Sequence, residues 1–231
     1  MTLPELVLVH GAWHGSWAWS RLLPVLAERG WTARAVDLPS VGSRAGLSVD
    51  SDLVKGLLEE SDRPKVLVGH SYGGTVVTQG GAGVESLLGV VYLCGAKPDV
   101  GDVVWSDHHS PEQVPDWIRV DDEQQASYAL RSETILYNDC APEVIADAQS
   151  RLKPQSLSSF LEPVSAASWR ERPSAYLICE LDNCVPATAQ EEIAGSVDYI
   201  ERIAASHSPF LSRPADVEAF LRRAVARFQA M

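Results

Sequence analysis

The stretch Gly69-His70-Ser71-Tyr72-Gly73-Gly74 decides the fold expected for this chain. It follows the apolar run 65–68, which predicts a buried strand, and precedes residues that can continue as a helix. A serine at a sharp turn between a strand and a helix, with small neighbours that relieve backbone crowding, is a common way to expose a nucleophilic hydroxyl. The pattern G-x-S-x-G also occurs by chance, so the rest of the chain must decide between a catalytic serine and a loop residue.

A second turn supports the catalytic interpretation. The apolar run 6–9 leads into His10, Gly11 and Ala12. In serine hydrolases whose nucleophile lies in a strand–turn–helix, a turn of this kind supplies a backbone N–H to a developing negative oxygen. The residue after the nucleophile supplies the other N–H. The sequence therefore predicts an oxyanion hole formed by the backbone N–H groups of Ala12 and Tyr72.

A nucleophilic serine needs a base and an orienting carboxylate, which in this architecture follow it in the order serine, acid, histidine. Asp182 follows the strand predicted over 175–179, and His207 lies in the loop beyond the strand-like run 197–203. Open α/β sheets carry their functional loops at the carboxyl ends of their strands. We therefore predict that Ser71, Asp182 and His207 act together.

Other carboxylates compete for the role of the acid. Glu180 lies close to Asp182, and Asp182 could instead cap the helix that begins near residue 186. Asp99 and Asp102 follow the strand predicted over 90–94 but fit less well. Asp182 is preferred because the orienting carboxylate must accept the imidazole N–H.

The other histidines have less specific interpretations. His10 and His70 lie beside the reactive loops, where a histidine usually shapes a turn, and His108 and His109 lie in a polar segment that we expect to be solvated. His207 alone has the position expected of the base.

Apolar runs alternate with helical patterns along most of the chain. Strands are predicted over 32–36, 65–68 and 88–94, helical spacing lies between them, and a final amphipathic helix is predicted over 214–228. This alternation predicts the α/β class, with a mostly parallel sheet covered by helices on both faces.

The strand pattern stops between residues 101 and 172, where proline, acidic residues and helix formers dominate, including 123–137 and 142–152. We expect an inserted helical cap at 101–172 on a core formed by 1–100 and 173–231, because a structureless loop of that length is unusual. The cap would hold the walls of the substrate pocket. Its aromatic residues are candidates for those walls or for packing on the core: Trp105, Trp117, Tyr128, Tyr137, Phe160 and Trp169.

Composition excludes several kinds of partner. The 231 residues have a net charge of −12, which disfavours nucleic acid and anionic membranes because both require a positive surface. The first residues lack a basic segment and a long apolar run, so we expect a cytoplasmic protein without a membrane span. The four cysteines form no C-x-x-C pair, and no cofactor or metal site is predicted. A homodimer is left open.

The chain resembles the α/β-hydrolase superfamily, and within it the plant methylesterase and hydroxynitrile lyase group with its bacterial esterase relatives. The resemblance covers nearly the whole chain. It lies in residues 10–17, in the turn 69–74, in the small-x-Pro-Asp turn 96–99, in 151–157 and in the spacing from Asp182 to His207.

Two departures favour an esterase over a lyase. The lyases of that group resemble one another in carrying a threonine after the first histidine and a lysine after the catalytic one, where this chain has Gly11 and Ser208. A serine supplies no positive charge for departing cyanide. We expect a carboxylesterase that forms an acyl-enzyme on Ser71 and needs no cofactor. The alternatives are a hydroxynitrile-lyase-like or polyketide- or lactone-tailoring enzyme with the same three residues, and a non-catalytic ligand-binding protein.

Overall fold

The computed structural model describes residues 3–105 and 114–231. In chain order, the strands of this part are β1 (Glu5–Val9), β2 (Thr32–Ala35), β3 (Lys65–His70), β4 (Leu87–Leu93), β5 (Ile118–Asp121), β6 (Ala126–Ala129), β7 (Gln155–Ser156), β8 (Ser174–Cys179) and β9 (Tyr199–Ile203). The α-helices are α1 (Leu22–Glu28), α2 (Leu47–Glu59), α3 (Gly73–Gly80), α4 (Ser132–Ile135), α5 (Pro142–Arg151), α6 (Ser158–Leu161), α7 (Ala187–Ala194), α8 (Pro209–Ser212) and α9 (Pro214–Phe228).

Six strands form one sheet in the order β2-β1-β3-β4-β8-β9, and every neighbouring pair is parallel. The prediction of a parallel α/β sheet is confirmed. The chain runs outward from β1 to β2 and then returns to place β3 on the other side of β1. Parallel sheets bind their ligands in the crevice at such a reversal, beyond the carboxyl ends of the strands. The turns after β1 and β3, which hold His10 and Ser71, meet at this point.

Alternate residues of β1 enter two separate cores, because successive side chains of a strand point to opposite faces. Leu6 and Leu8 pack with residues of α1 and α9, whereas Val7 and Val9 pack with residues of α2, α3 and α7. The sheet is therefore covered on both faces, as the alternation of elements predicts.

The segment between β4 and β8 contains α4, α5 and α6 together with an antiparallel sheet of β5, β6 and β7. The helix expected over 123–137 is wrong at 126–129, which form β6. The backbone of β6 pairs with β5 and β7, and this long-range pairing outweighs the helical tendency of alanine. The helix expected over 142–152 is observed as α5. The domain division at 101–172 stays a prediction.

None of the helices in the described part of the chain has both the length and the apolar character needed to cross a membrane. Cys94, Cys140, Cys179 and Cys184 are all free thiols.

The start of α3 packs so closely on the loop after β4 that it requires glycine. A Cβ on Gly74 would lie 2.2 Å from the carbonyl oxygen of Ala96, a backbone atom that cannot move aside alone. We expect Gly74→Ala to lower the free energy of unfolding by about 3 kcal/mol, the upper range for overpacking, as measured by urea denaturation.

Gly56→Ala in α2 is the matched control, because its Cβ would meet no atom within 4 Å. We expect that change to raise stability by about 0.5–1 kcal/mol through the better helix propensity of alanine. Equal stability of the Gly74→Ala variant and the unmodified chain would contradict the close packing described here.

Candidate active site

Ser71 lies in the turn between β3 and α3 in a strained backbone conformation. Its φ is 51°, in the left-handed region that residues other than glycine rarely occupy. The turn is held by hydrogen bonds from Ser71 N to the Leu93 carbonyl (3.3 Å) and from Gly74 N and Ala96 N to the Ser71 carbonyl (2.9 and 3.0 Å). Backbone strain of this kind is typical of functional turns, where the surrounding structure enforces it.

Asp182 and His207, which the sequence places 25 residues apart, are in direct contact. His207 Nδ1 donates to Asp182 Oδ2 at 2.7 Å, and both side chains are buried. The other carboxylate oxygen of Asp182 accepts the backbone N–H groups of Cys184 (2.7 Å) and Val185 (2.9 Å). The carboxylate is therefore fixed in position, and it sets the tautomer of the imidazole by receiving its Nδ1 hydrogen.

His207 is also attached to the strand that carries Ser71. Its carbonyl accepts the Nε2 hydrogen of His70 at 2.8 Å and the thiol of Cys94 at 3.4 Å. The rings of His70 and His207 lie 4.7 Å apart between centroids. The described residues show no hydrogen bond between the Ser71 hydroxyl and the His207 ring. Hydrogen bonds of this type often form only once a substrate is bound.

Two opposing effects act on the pKa of His207. Burial disfavours the imidazolium and lowers the pKa, whereas the negative charge of Asp182, with a contribution from Cys184, raises it. The net direction is upward, well above the usual value of imidazole. The proton on this imidazole is therefore held more firmly than on an imidazole in water.

The two predicted oxyanion donors border the same cavity as Ser71. Ala12 and Tyr72 both line it, and neither backbone N–H has a hydrogen-bond acceptor among the described residues. Unpaired backbone donors beside a serine hydroxyl are available to bind a negatively charged oxygen.

His10 fixes the direction of the first of these donors. Its Nε2 accepts the backbone N–H of Leu38 (3.0 Å), so its Nδ1 carries the hydrogen and donates it to the Gly11 carbonyl (2.8 Å). The C=O and N–H of a trans peptide point in opposite directions. The Ala12 N–H of the same peptide bond therefore points away from His10.

His14 holds the next peptide bond in the same way. Its Nδ1 donates to the Ala12 carbonyl (2.7 Å), and its Nε2 accepts the hydroxyl of Tyr137 (2.7 Å). Burial lowers the pKa of His14 to about 3 and that of His10 to about 4, so both rings are neutral. These histidines shape turns, as expected for His10 from the sequence.

The cavity at Ser71 is apolar and aromatic. Its volume is about 240 Å³ within the described residues, and the segment between β4 and β8 supplies much of its wall. Of the aromatic candidates in that segment, Trp105, Trp117 and Phe160 line the cavity. The remaining three do not, and they contact other residues instead: Tyr128 stacks on Arg119, Tyr137 bonds to His14, and Trp169 packs under Lys97.

The competing carboxylates lie elsewhere. Glu180 is on the surface in an ion pair with Arg202 (2.9 Å). Asp99 pairs with Arg170, also on the surface, and Asp102 accepts the backbone N–H of Asp99 (2.8 Å). His108 and His109 lie outside the described residues.

Gln190 is a site residue that sequence reasoning missed. This fully buried amide of α7 donates to Asp182 Oδ2 at 3.0 Å and accepts the Cys179 N–H at 2.9 Å, so it holds the carboxylate oxygen that also accepts His207 Nδ1. A glutamine in an amphipathic helix has no distinctive sequence signal, and only its burial shows this role.

Cys184 brings a thiol to the same place. Donor atoms of Asp182, Cys184 and His207 lie within 4.8 Å of one another, as do those of His70, Cys94 and His207. A soft metal ion accepts such donors. In the described structure the oxygens of Asp182 and the Nδ1 of His207 are engaged in hydrogen bonds with each other and with neighbouring groups.

Comparison with known proteins bears on the family and the fold of this chain. The chain is 29% identical over 245 residues to alpha/beta hydrolase nvfD of Aspergillus novofumigatus (97% of both chains) and 29% identical over 248 residues to salicylic acid-binding protein 2 of Nicotiana tabacum (91% and 92%). Its structure is similar to that of the methylesterase MES16 from Arabidopsis, with a TM-score of 0.82, 21% identity and coverage of 97% and 99%. The model of the alpha/beta hydrolase family matches residues 6–220. The parallel sheet carries a strained serine turn after β3 and an Asp–His pair beyond β8 and β9. The family match covers most of the chain, and the chain belongs to the alpha/beta hydrolase family.

Proposed function

We propose that this hydrolase is a serine carboxylesterase that cleaves a small, uncharged ester through an acyl-enzyme on Ser71. One observation carries the proposal: an imidazole paired with a buried carboxylate is bonded through its own backbone to the strand that presents a strained serine to an apolar cavity. A protein that only binds a ligand does not need a base placed in this way.

In the first half of the reaction, Nε2 of His207 removes the proton of the Ser71 hydroxyl while its oxygen attacks the ester carbonyl carbon. The electron pair of the C=O bond moves to the oxygen, which the N–H groups of Ala12 and Tyr72 stabilise. Collapse of this intermediate breaks the bond to the alcohol, which leaves with the proton from His207. Asp182 stabilises the imidazolium during both transfers.

In the second half, His207 removes a proton from water as the water attacks the acyl carbon on Ser71. The same two N–H groups bind the oxygen. The bond to Ser71 then breaks, the hydroxyl regains its proton from His207, and the carboxylic acid leaves.

The cavity walls support an uncharged, partly aromatic substrate. The lining residues within the described chain include no lysine, arginine, aspartate or glutamate, so a charged substrate would be desolvated there without a partner. Trp13, Trp105 and Trp117 offer ring faces and edges to an aromatic group. The name of the tobacco relative states that it binds salicylic acid, whose aromatic ring agrees with the aromatic part of this expectation.

The absence of a cation among these lining residues favours ester cleavage over cyanohydrin cleavage. The position after His207 is the uncharged, fully buried Ser208. Among the described lining residues, departing cyanide would find no lysine or arginine to bind. We further propose that the segment between β4 and β8 acts as the cap that selects the substrate, because it provides Trp105, Trp117 and Phe160.

The test is incubation of the purified protein with p-nitrophenyl acetate and butyrate, before and after treatment with a serine-directed phosphonate. We expect turnover, its loss after treatment, and a single adduct that mass spectrometry assigns to the peptide containing Ser71. A Cys184→Ser variant is the control, because the Cys184 thiol lies near the same imidazole and could capture a reagent. Release of cyanide from mandelonitrile, without ester turnover or a Ser71 adduct, would contradict the proposal and favour a lyase.

A further inference from the structure

Trp13, the residue after the donor Ala12, is held in place by the inserted segment. Its φ is 65°, again in the left-handed region. All of its polar groups bond to residues between β4 and β8: its backbone N–H donates to Gln155 Oε1 (3.3 Å), its carbonyl accepts the Lys153 N–H (3.0 Å), and its indole N–H donates to the Ser127 carbonyl (3.1 Å). This unusual conformation therefore depends on partners more than 100 residues away in the chain.

Gln155 is the centre of a fully buried hydrogen-bond chain. Its Nε2 donates to the Ser40 hydroxyl at 2.8 Å, and that hydroxyl donates to Oδ2 of Asp50 at 2.5 Å. The same carboxylate oxygen accepts the hydroxyl of Tyr72 at 2.8 Å. We call Gln155, Ser40 and Asp50 the buried relay. It begins at Trp13 and ends at Tyr72, and the proposed reaction uses none of its three members.

The two ends of the relay adjoin the two oxyanion donors. Trp13 N belongs to the peptide bond that follows Ala12, whereas the preceding peptide bond is held by His10. With the peptide planes on both sides fixed, the N–H of Ala12 keeps one direction. Tyr72 carries the other donor on its own backbone. The relay therefore connects the two loops whose spacing determines how well a negatively charged oxygen is bound.

We propose that Gln155 is a positioning residue: through Trp13 and the buried relay, the inserted segment sets the direction and spacing of the Ala12 and Tyr72 donors. This inference rests on the proposed esterase function. The segment thus has a second role besides forming the pocket wall, because it completes the geometry that stabilises the transition state.

Gln155→Met keeps the size of the side chain and removes its hydrogen bonds. We expect kcat on p-nitrophenyl butyrate to fall about 10- to 100-fold, with KM changed less than about twofold, because the donors act on the transition state and not on the bound ester. The inhibition constant of a trifluoromethyl ketone, which forms a hemiketal resembling the transition state, should rise in parallel. Ser40→Ala, a smaller change that interrupts the relay between its ends, should lower kcat about 3- to 10-fold and tests the proposal even where Gln155→Met does not fold.

Ser156→Ala is the matched control. Ser156 is next to Gln155 in the chain and about as deeply buried as Ser40, but its hydroxyl has no hydrogen-bond partner among the described residues, so its loss leaves the relay intact. We expect its kcat to stay within about twofold of the unmodified chain. Equal losses of kcat in the Ser156→Ala and Gln155→Met variants, or unchanged kcat in both relay variants, would overturn the positioning role.

Amide hydrogen exchange separates this inference from the proposed function. In Gln155→Met the peptide that covers residues 11–15 should exchange faster, since the Trp13 N–H has lost its acceptor. Unchanged exchange there overturns the role of Gln155 whether or not the protein is active. Absence of turnover and of a Ser71 adduct in the unmodified chain would instead remove the esterase function.

Discussion

Replacing Ser71 with alanine is expected to lower kcat on p-nitrophenyl esters by about 10⁴-fold or more, because the proposed reaction acylates the Ser71 hydroxyl. Alanine occupies the left-handed conformation of this turn at about the same cost as serine, so the fold should be retained. The variant should still bind an ester in the apolar cavity but form no phosphonate adduct. Stopped-flow measurement of the p-nitrophenolate burst, with mass spectrometry of the Ser71 peptide, checks both points.

Ser208→Ala is the control for this prediction. The Ser208 hydroxyl is buried beside His207 and has no hydrogen-bond partner among the described residues, so its loss should leave kcat within about twofold. Burst kinetics retained in the Ser71→Ala variant would contradict the acyl-enzyme and point to another nucleophile, with the Cys184 thiol the first to examine.

Replacing Asp182 with asparagine is expected to lower kcat about 10³- to 10⁴-fold, through the tautomer of His207 rather than through misfolding. Asp182 Oδ1 accepts two backbone N–H groups, so the oxygen of the asparagine would stay there and its NH₂ group would face His207 Nδ1. Gln190 would lose its bond to this side chain but keep those to the Cys179 and Val185 carbonyls. A donor in that position favours the imidazole with its hydrogen on Nε2. That tautomer cannot accept the Ser71 proton.

The pH dependence of kcat/KM should change in a definite direction in the same variant. The base is active when neutral, so activity in the unmodified chain rises with pH through the raised pKa of His207. Loss of the Asp182 charge removes the main contribution that raises this pKa, and the acid limb should therefore move to lower pH, at a much lower plateau.

Glu180→Gln provides the matched control for the acid. Glu180 precedes Asp182 by two residues, is partly exposed and pairs with Arg202, so its neutralisation should leave both kcat and the pH profile nearly unchanged. A large loss in Glu180→Gln together with a small one in Asp182→Asn would reverse the assignment of the orienting carboxylate.

The fold was predictable where the pattern is local. The apolar runs of β1, β3 and β4 and the helical spacing of α9 identify these elements, and their alternation predicts a parallel sheet. The strand β6 escaped prediction because Ala126–Ala129 has no strand signal of its own and is held by pairing with β5 and β7. Tertiary pairing outweighed local propensity at that point.

In the candidate site, too, some features follow from local sequence and others only from tertiary contacts. The chain order and the ends of strands are enough to name Ser71, Asp182 and His207, and their catalytic roles stay predictions. The contact between Asp182 and His207 is seen only in the structure. Gln190 and Gln155 could not have been found from the sequence, because a glutamine is compatible with a surface helix or an edge strand and nothing marks it as buried.

By itself, the sequence determined the elements that repeat or turn within a few residues: the buried strands, the glycine-rich turn at Ser71 and the final amphipathic helix. The tertiary structure alone decided which polar side chains are buried in contact with one another, such as Gln155 with Ser40 and Asp50, and which carboxylate faces His207. The physical reason is the distance along the chain over which each effect acts. Periodicity and turn chemistry act between neighbours in the chain. The partners of a buried polar group are brought from far away by the fold, and every such group needs a hydrogen-bond partner to offset its lost hydration.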